Sequence, residues 1–227
     1  MNESSDSQAK GGRFVGAVVI LACICLGSGA GVGILYWSMK GKIEEKAQSV
    51  FHEALAEVLG EADSYDAVNA DEADEAKRVY VNEAGGRVLY AGTGEAQGYQ
   101  SRIKVLVSVE APKPNKPVGD DPLIHRMAVV SSQETPGLGE NIKLVEKDVS
   151  IWAKAAGKEP ADAEPKRPWF QEQFTGKRLS DLVVETASDT DGIRAVTGAT
   201  ITSKAATEAV QKAVKHIIEA TAEAYGQ

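Results

Sequence analysis

Thr197-Gly198-Ala199-Thr200-Ile201-Thr202-Ser203 places four hydroxyls and two small residues within seven positions. Ile193 to Val196, just before it, reads as the end of a strand. From Ala205 to Ala222 apolar residues recur at helical spacing, with Ala206, Val210, Val214 and Ile217/Ile218 on one stripe. A helix therefore starts near Thr200 to Ser203, where Thr and Ser are favoured caps because their oxygens accept orphan backbone N–H groups. A helix start with free N–H groups, a small Gly-Ala approach and several hydroxyls suits a phosphate. The same residues also make an ordinary turn and cap, so the seven positions alone leave both readings open.

Glu134-Thr135-Pro136-Gly137-Leu138-Gly139 forms a second constellation after an expected strand, His125 to Ser131. Its proline fixes one φ, and its glycines permit positive φ or a close backbone approach. Gly94-x-x-x-Gly98-Tyr99 precedes a third alternating run, Ile103 to Val109. Gln173-Phe174-x-Gly176-Lys177 lies in an aromatic segment opened by Trp169 and Phe170, whose rings are expected to anchor the core.

Composition narrows the chemistry these residues can perform. The chain has 227 residues and a formal charge of −8; its first 40 residues carry +1, leaving −9 on the rest. So acidic a domain has no footprint for nucleic acid. Both cysteines, Cys23 and Cys25, fall inside the N-terminal apolar run, so the remainder has no disulfide, redox pair or cysteine metal site. His52, His125 and His216 are too scattered to suggest a histidine metal centre. Redox chemistry here would need a borrowed organic cofactor.

The elements that must position these motifs follow in order. Residues 1–13 are polar and aperiodic, and are expected to be disordered. Phe14 to Trp37 is 24 residues without a charge, a transmembrane span (14–37) ending in the interfacial aromatics Tyr36 and Trp37. A cleaved signal peptide fits less well, because apolar character resumes after the small cluster Gly27 to Ala30. Lysines and arginines flank both ends, so charge bias does not orient the span. Gly27-x-x-x-Gly31 and Gly29-x-x-x-Gly33 would allow another membrane helix to approach closely.

Residues 38–76 read as a membrane-proximal helix, with Ile43, Ala47, Phe51, Leu55 and Leu59 on its stripe, followed by an acidic linker. Residues 77–227 read as one α+β domain: a mixed, largely antiparallel sheet with packed helices. Within it, Glu83-Ala-Gly-Gly marks a hairpin. Ala111 to Pro122 is expected to be a surface loop without core character. Ile142 to Lys154 is a weak helix candidate, and Ala155 to Pro168 a further loop.

Taken together and in this order, the Gly98-Tyr99, Glu134 to Gly139 and Thr197 to Ser203 segments resemble the FMN-binding domain family. With one N-terminal membrane helix, the chain looks like the G subunit of the Rnf ion-translocating electron-transport complex. It is also similar to the C subunit of the sodium-translocating NADH:quinone oxidoreductase. The resemblance implies FMN joined through its phosphate to Thr200 by an FAD-dependent flavin transferase. It implies a binding site of Thr197, Gly198, Ala199, Thr200, Ile201, Thr202 and Ser203, with Glu134, Thr135, Leu138 and Gly139 against the flavin and backbone N–H groups of that turn presented to the ring. It also implies a periplasmic relay domain, partner membrane and electron-transfer subunits, and a role as an electron-transfer subunit rather than an independent catalyst. The family usually has Asp three residues before the first Ser/Thr of the tetrad; here that position is Arg194. Two other readings stand beside this one: an FMN carrier for another extracytoplasmic chain, and a cofactor-free membrane-tethered interaction domain.

Overall fold

The computed structural model describes residues 3–143, 168–185 and 192–226. Residues 144–154 of the weak helix candidate, 155–167 of the loop after it, and Asp191 lie outside the described residues. The chain divides into two units, Met1–Ser49 and Val50–Gln227.

The first unit consists of most of helix α1 (Glu3–Leu59). The helix starts ahead of Phe14, inside the segment expected to be disordered, and its backbone continues unbroken into the membrane-proximal stretch. Twenty-four uncharged residues at 1.5 Å each span about 36 Å, enough for a bilayer core of about 30 Å. Leu26, Ile34, Leu35 and Trp37 point outward and are exposed. Its most apolar window, none of which is buried, is long and apolar enough to cross a membrane.

The second unit is built on a five-stranded antiparallel sheet in the order β1-β2-β3-β4-β5. Its strands are β1 (Asp66–Ala67), β2 (Tyr80–Ala84), β3 (Arg87–Gln97), β4 (Arg102–Ala111) and β5 (Ile124–Ser131). The hairpin between β2 and β3 turns on Gly85 and Gly86, with φ of 60° and 77°. Two positive φ values in a two-residue turn match the right-handed twist of the flanking strands, which explains two glycines there. β3 and β4 pair over their whole length, from Val88↔Ala111 to Gln97↔Arg102.

Alternation gives the sheet two buried faces. On one face Leu89, Ala91, Leu106 and Ala128 meet Phe51, Leu55, Val58 and Leu59 from the end of α1. Ser108 lies on this face too, and its hydroxyl donates to the Val58 carbonyl at 2.7 Å. On the other face Tyr90, Ile103, Val105, Val107 and Val109 meet the long C-terminal helix and the Phe170 and Phe174 rings. The sheet is therefore a layer between helices, with a core on each side.

Two segments carry more structure than their composition suggests. The acidic linker contributes β1, which pairs with β2 through Asp66↔Val81 and Ala67↔Tyr80. The Pro- and Lys-rich loop after β4, expected to lack core residues, buries Val118. The Val118 N–H donates to the Thr221 hydroxyl at 3.2 Å, which pins the loop to the C-terminal helix. One apolar side chain in a polar loop is too weak a periodic signal to reveal this.

After β5 a turn leads into a short 3₁₀ helix, Gly139–Lys143. Beyond residue 167 come a four-residue helix α2 (Trp169–Glu172) and two short strands, β6 (Val184–Glu185) and β7 (Ile193–Arg194). β6 and β7 pair in parallel, so the domain is mixed but largely antiparallel, as its sequence implies. β7 delivers the chain to helix α3 (Thr200–Tyr225).

Helix α3 lies unusually close to β3. A Cβ on Gly94 would fall on the Ala209 carbonyl oxygen and 2.5 Å from the Ala213 nitrogen. A Cβ on Gly92 would lie 2.7 Å from Ile217 Cγ1. Glycines on the strand and alanines on the helix (Ala205, Ala206, Ala209 and Ala213, all buried) let the two backbones nearly touch. Val210, Val214 and Ile217 then fill the flanks, each contributing about 1.5–3 kcal/mol by burial. This contact fixes where the N-terminus of α3 sits.

Candidate functional site

The first residue of α3 is Thr200, and its N-cap is Ala199, with φ −130° and ψ 42°. No side chain caps the helix, contrary to the expectation that one of the hydroxyls would do so. Ser203 is occupied otherwise: its hydroxyl accepts the Val196 N–H at 2.9 Å and donates to the Ala199 carbonyl at 3.0 Å. That pair of bonds ties the helix start to the strand end. Gly198 bridges them with φ of 75°, a value that a residue bearing Cβ adopts only with strain.

The first backbone bond into the helix runs from the Ser203 N–H to the Ala199 carbonyl. The N–H groups of Thr200, Ile201 and Thr202 consequently have no protein acceptor among the described residues. Three free donors at the positive end of a 26-residue helix attract an anion.

These donors border a cavity of about 440 Å³, lined by Gly198, Ala199, Thr200, Ile201 and Thr202 on one side. Glu134, Thr135, Leu138 and Gly139 line the other, and Tyr99 completes the rim. Two motifs far apart in sequence thus meet across one space, within the usual range of about 300–1,000 Å³ for a small-molecule site. Thr197 and Ser203 do not line it: Thr197 is exposed on the turn, and Ser203 is buried beneath it.

The four hydroxyls are therefore not equivalent. Ser203 is buried and doubly bonded, and Thr202 is 2% exposed with its hydroxyl donating to Glu134 at 2.7 Å. Of these four, Thr200 alone combines a position on the cavity wall with a hydroxyl that makes no hydrogen bond among the described residues.

Of the backbone N–H groups at and after the turn, those of Leu138 and Glu140 are spent on the Thr135 carbonyl, while those of Gly137 and Gly139 have no acceptor among the described residues. The turn also presents the expected Leu138 side chain, which is exposed, and the carboxylate of Glu134, which is buried. That carboxylate accepts from the N–H groups of Tyr99 (3.3 Å), Gln100 (3.1 Å) and Ser101 (3.0 Å), and from the Ser101 hydroxyl (3.3 Å) as well as Thr202. Two glycines make room for it: a Cβ on Gly98 would lie 2.5 Å from Glu134 Oε1, and one on Gly139 would lie 2.7 Å from Glu134 Cβ. Tyr99 is the one lining residue that the sequence does not assign to the site; the Gly-Tyr pair beside a strand end is the signal that could have found it.

Burial pushes the Glu134 carboxyl upward, but the donors from Ser101, Thr202, Gln100 and Tyr99 outweigh burial and hold it below its ordinary value of 4.5. The native state then binds its proton less readily than the unfolded chain does. Its stabilising contribution is present above pH 4.5 and is lost as pH falls through the depressed native value. Thermal melts in a pH series should show the wild type losing Tm more steeply than Glu134→Gln below about pH 4.5. Parallel curves would contradict this account.

Arg194 takes no part in lining the cavity. Its guanidinium carbon lies 5.0 Å over the Trp169 ring, a cation–π contact. Gln173 reads its backbone in both directions, accepting the Arg194 N–H at 2.8 Å and donating to its carbonyl at 3.2 Å. The Gln173-Phe174 segment thus holds the strand that feeds the Thr197 turn, at a distance from the chemistry.

The FMN-binding domain family matches residues 98–215, from the glycine beside Tyr99 to the middle of α3. The chain is 30% identical over 199 residues to the G subunit of the proton-translocating ferredoxin:NAD(+) oxidoreductase complex of Clostridium ljungdahlii, covering 87% of this chain and 88% of that protein. It is 28% identical over 215 residues to the G subunit of the Na(+)-translocating ferredoxin:NAD(+) oxidoreductase complex of Acetobacterium woodii, with the same coverage. Among solved structures it is similar to the C subunit of the Na(+)-translocating NADH-quinone reductase of Parabacteroides distasonis, at 19% identity and a TM-score of 0.42 over 63% of this chain and 62% of that one. Since the family match spans more than half of the chain and encloses both walls of the cavity, the chain belongs to the FMN-binding domain family.

Proposed function

We propose that this chain is the membrane-anchored flavoprotein subunit of an Rnf-type ion-translocating complex, relaying electrons through FMN esterified by its phosphate to Thr200. The observation that carries this reading is the cavity wall at Thr200: a hydroxyl and three N–H groups with no partner among the described residues. Bound FMN supplies the electron-accepting and electron-donating chemistry that the side chains of this domain lack.

The residues fit the group in size and in character. The N–H groups of Thr200, Ile201 and Thr202 would hold the phosphate, aided by the helix dipole. Gly198 and Ala199 leave that approach free of bulk. Tyr99, Leu138 and Ile201 are each exposed and would flank the ring with aromatic and aliphatic surface. Attachment at Thr200 requires transfer of an FMN phosphoryl group from FAD, with AMP leaving and the hydroxyl proton released; a dedicated flavin transferase would perform it. A covalent link retains the cofactor on the extracytoplasmic side of the membrane, where the domain is proposed to lie. The two G-subunit relatives at 87% coverage support a partnership with other components of such a complex.

The test is the intact mass of acid-denatured protein purified from cells that contain the transferase. The expected result is an increase of one FMN less water, with the modified peptide spanning Thr200. An unmodified mass from such cells would refute the covalent reading. Protease added to right-side-out vesicles should cleave the domain if it lies outside the cytoplasm; protection would overturn that assignment.

A further inference from the structure

We propose that Glu134 is a fixed negative charge that holds the reduction potential of the bound flavin low, and that Thr202 is the donor that moderates it. This rests on the reading that FMN occupies the cavity at Thr200. Its ground is the geometry of the carboxylate. Glu134 lines the cavity, is 5% exposed and is held by five donors, all of them neutral N–H or O–H groups. Among the described residues no lysine or arginine forms an ion pair with it. Its charge is delocalised over hydrogen bonds but not cancelled.

An anion at this place is costly if its purpose is only to tie three segments together. A buried charge is expensive relative to a neutral or apolar replacement, even when hydrogen-bonded. The site must also accept a phosphate, another anion, which an adjacent carboxylate opposes. Yet three parts of the chain converge to accommodate it: the Tyr99–Ser101 loop donates to it, Thr202 turns its hydroxyl toward it, and Gly98 and Gly139 omit side chains that would collide with it. In a partly dry cavity a charge acts more strongly on its neighbours than it would in water. Reduction adds electrons to the ring, and wherever these are not matched by protons from solvent, a nearby negative charge opposes it. The Thr202 hydroxyl, at 2.7 Å, points its positive end at the carboxylate and weakens that effect.

The two residues therefore make opposite predictions. Full-length protein would be checked by intact mass for FMN at Thr200, then its midpoint potential measured by anaerobic dithionite titration against indicator dyes. Glu134→Gln removes the charge and should raise the reduced-to-oxidised ratio at fixed ambient potential at least tenfold, about 30 mV for a two-electron couple. Thr202→Val keeps shape but deletes the moderating hydroxyl, and should shift the potential to more negative values. A Glu134→Gln potential equal to that of the wild type would overturn the proposal. So would a shift of both variants in the same direction, which is what loosened packing gives. If Glu134→Gln does not fold, Thr202→Val decides alone: a negative shift supports the proposal, and no shift or a positive one refutes it. Absence of FMN from the wild type would instead refute the functional reading, a separate result seen at the mass measurement.

Discussion

Thr200→Ala should purify as a folded, colourless protein whose denatured mass equals that of its unmodified sequence. Removing one oxygen is expected to take the covalent flavin content from near full occupancy to zero, because no other hydroxyl of the Thr197–Ser203 turn is placed to replace it. Thr202 is buried and committed to Glu134, Ser203 is committed to Val196 and Ala199, and Thr197 lies outside the cavity. The fold should not suffer. The Thr200 side chain makes no hydrogen bond among the described residues, and alanine is the better helix former, so the change in stability should stay within about 0.5 kcal/mol. Thr200→Ser should retain attachment, since it keeps the hydroxyl on the same backbone. Two measurements check this together: intact mass with in-gel flavin fluorescence, and a thermal melt. Fluorescent, mass-shifted Thr200→Ala protein would move the attachment elsewhere, and peptide mapping would say where.

Much of this site is legible without any fold, because its parts are local. A strand end, a Gly turn, hydroxyls and then a 3.6-residue stripe require α3 to start near Thr200, and it does. The glycine and proline content of Glu134 to Gly139 likewise demands a turn. What sequence could not show is how adjacent hydroxyls divide their work. Thr200 and Thr202 differ by two positions, yet one faces the cavity and the other is spent on a residue 68 positions away. The inward carboxylate of Glu134 is hidden for the same reason, since its donors come from a different loop. Val118 and β1 escape notice because one apolar residue, or two paired ones, leave no period to detect. The faces of β4, by contrast, follow from the alternation of Ile103 to Val109.

The largest structural effect should come from a residue that touches nothing chemical. Gly94→Val is expected to destabilise the domain by at least about 3 kcal/mol, at the severe end of overpacking. The obstacle to a Cβ there is the Ala209 carbonyl and the Ala213 nitrogen, both backbone atoms of α3, which no rotamer change can clear. Relief requires α3 to lift from β3, and lifting it uncovers Val210, Val214 and Ile217. Because the same helix presents Thr200 to Thr202 at its start, a displaced α3 also moves the three free N–H groups away from Leu138 and Glu134. Gly94→Val should therefore lose both cooperative unfolding and covalent FMN, although Gly94 does not line the cavity. Gly119→Ala is the control: a Cβ there meets no atom within 4 Å, and its effect should stay within about 0.5 kcal/mol. Chemical denaturation monitored by tryptophan fluorescence, with intact mass on the same samples, reads both consequences. Wild-type stability in Gly94→Val would mean that the close approach of α3 to β3 is not what positions the site.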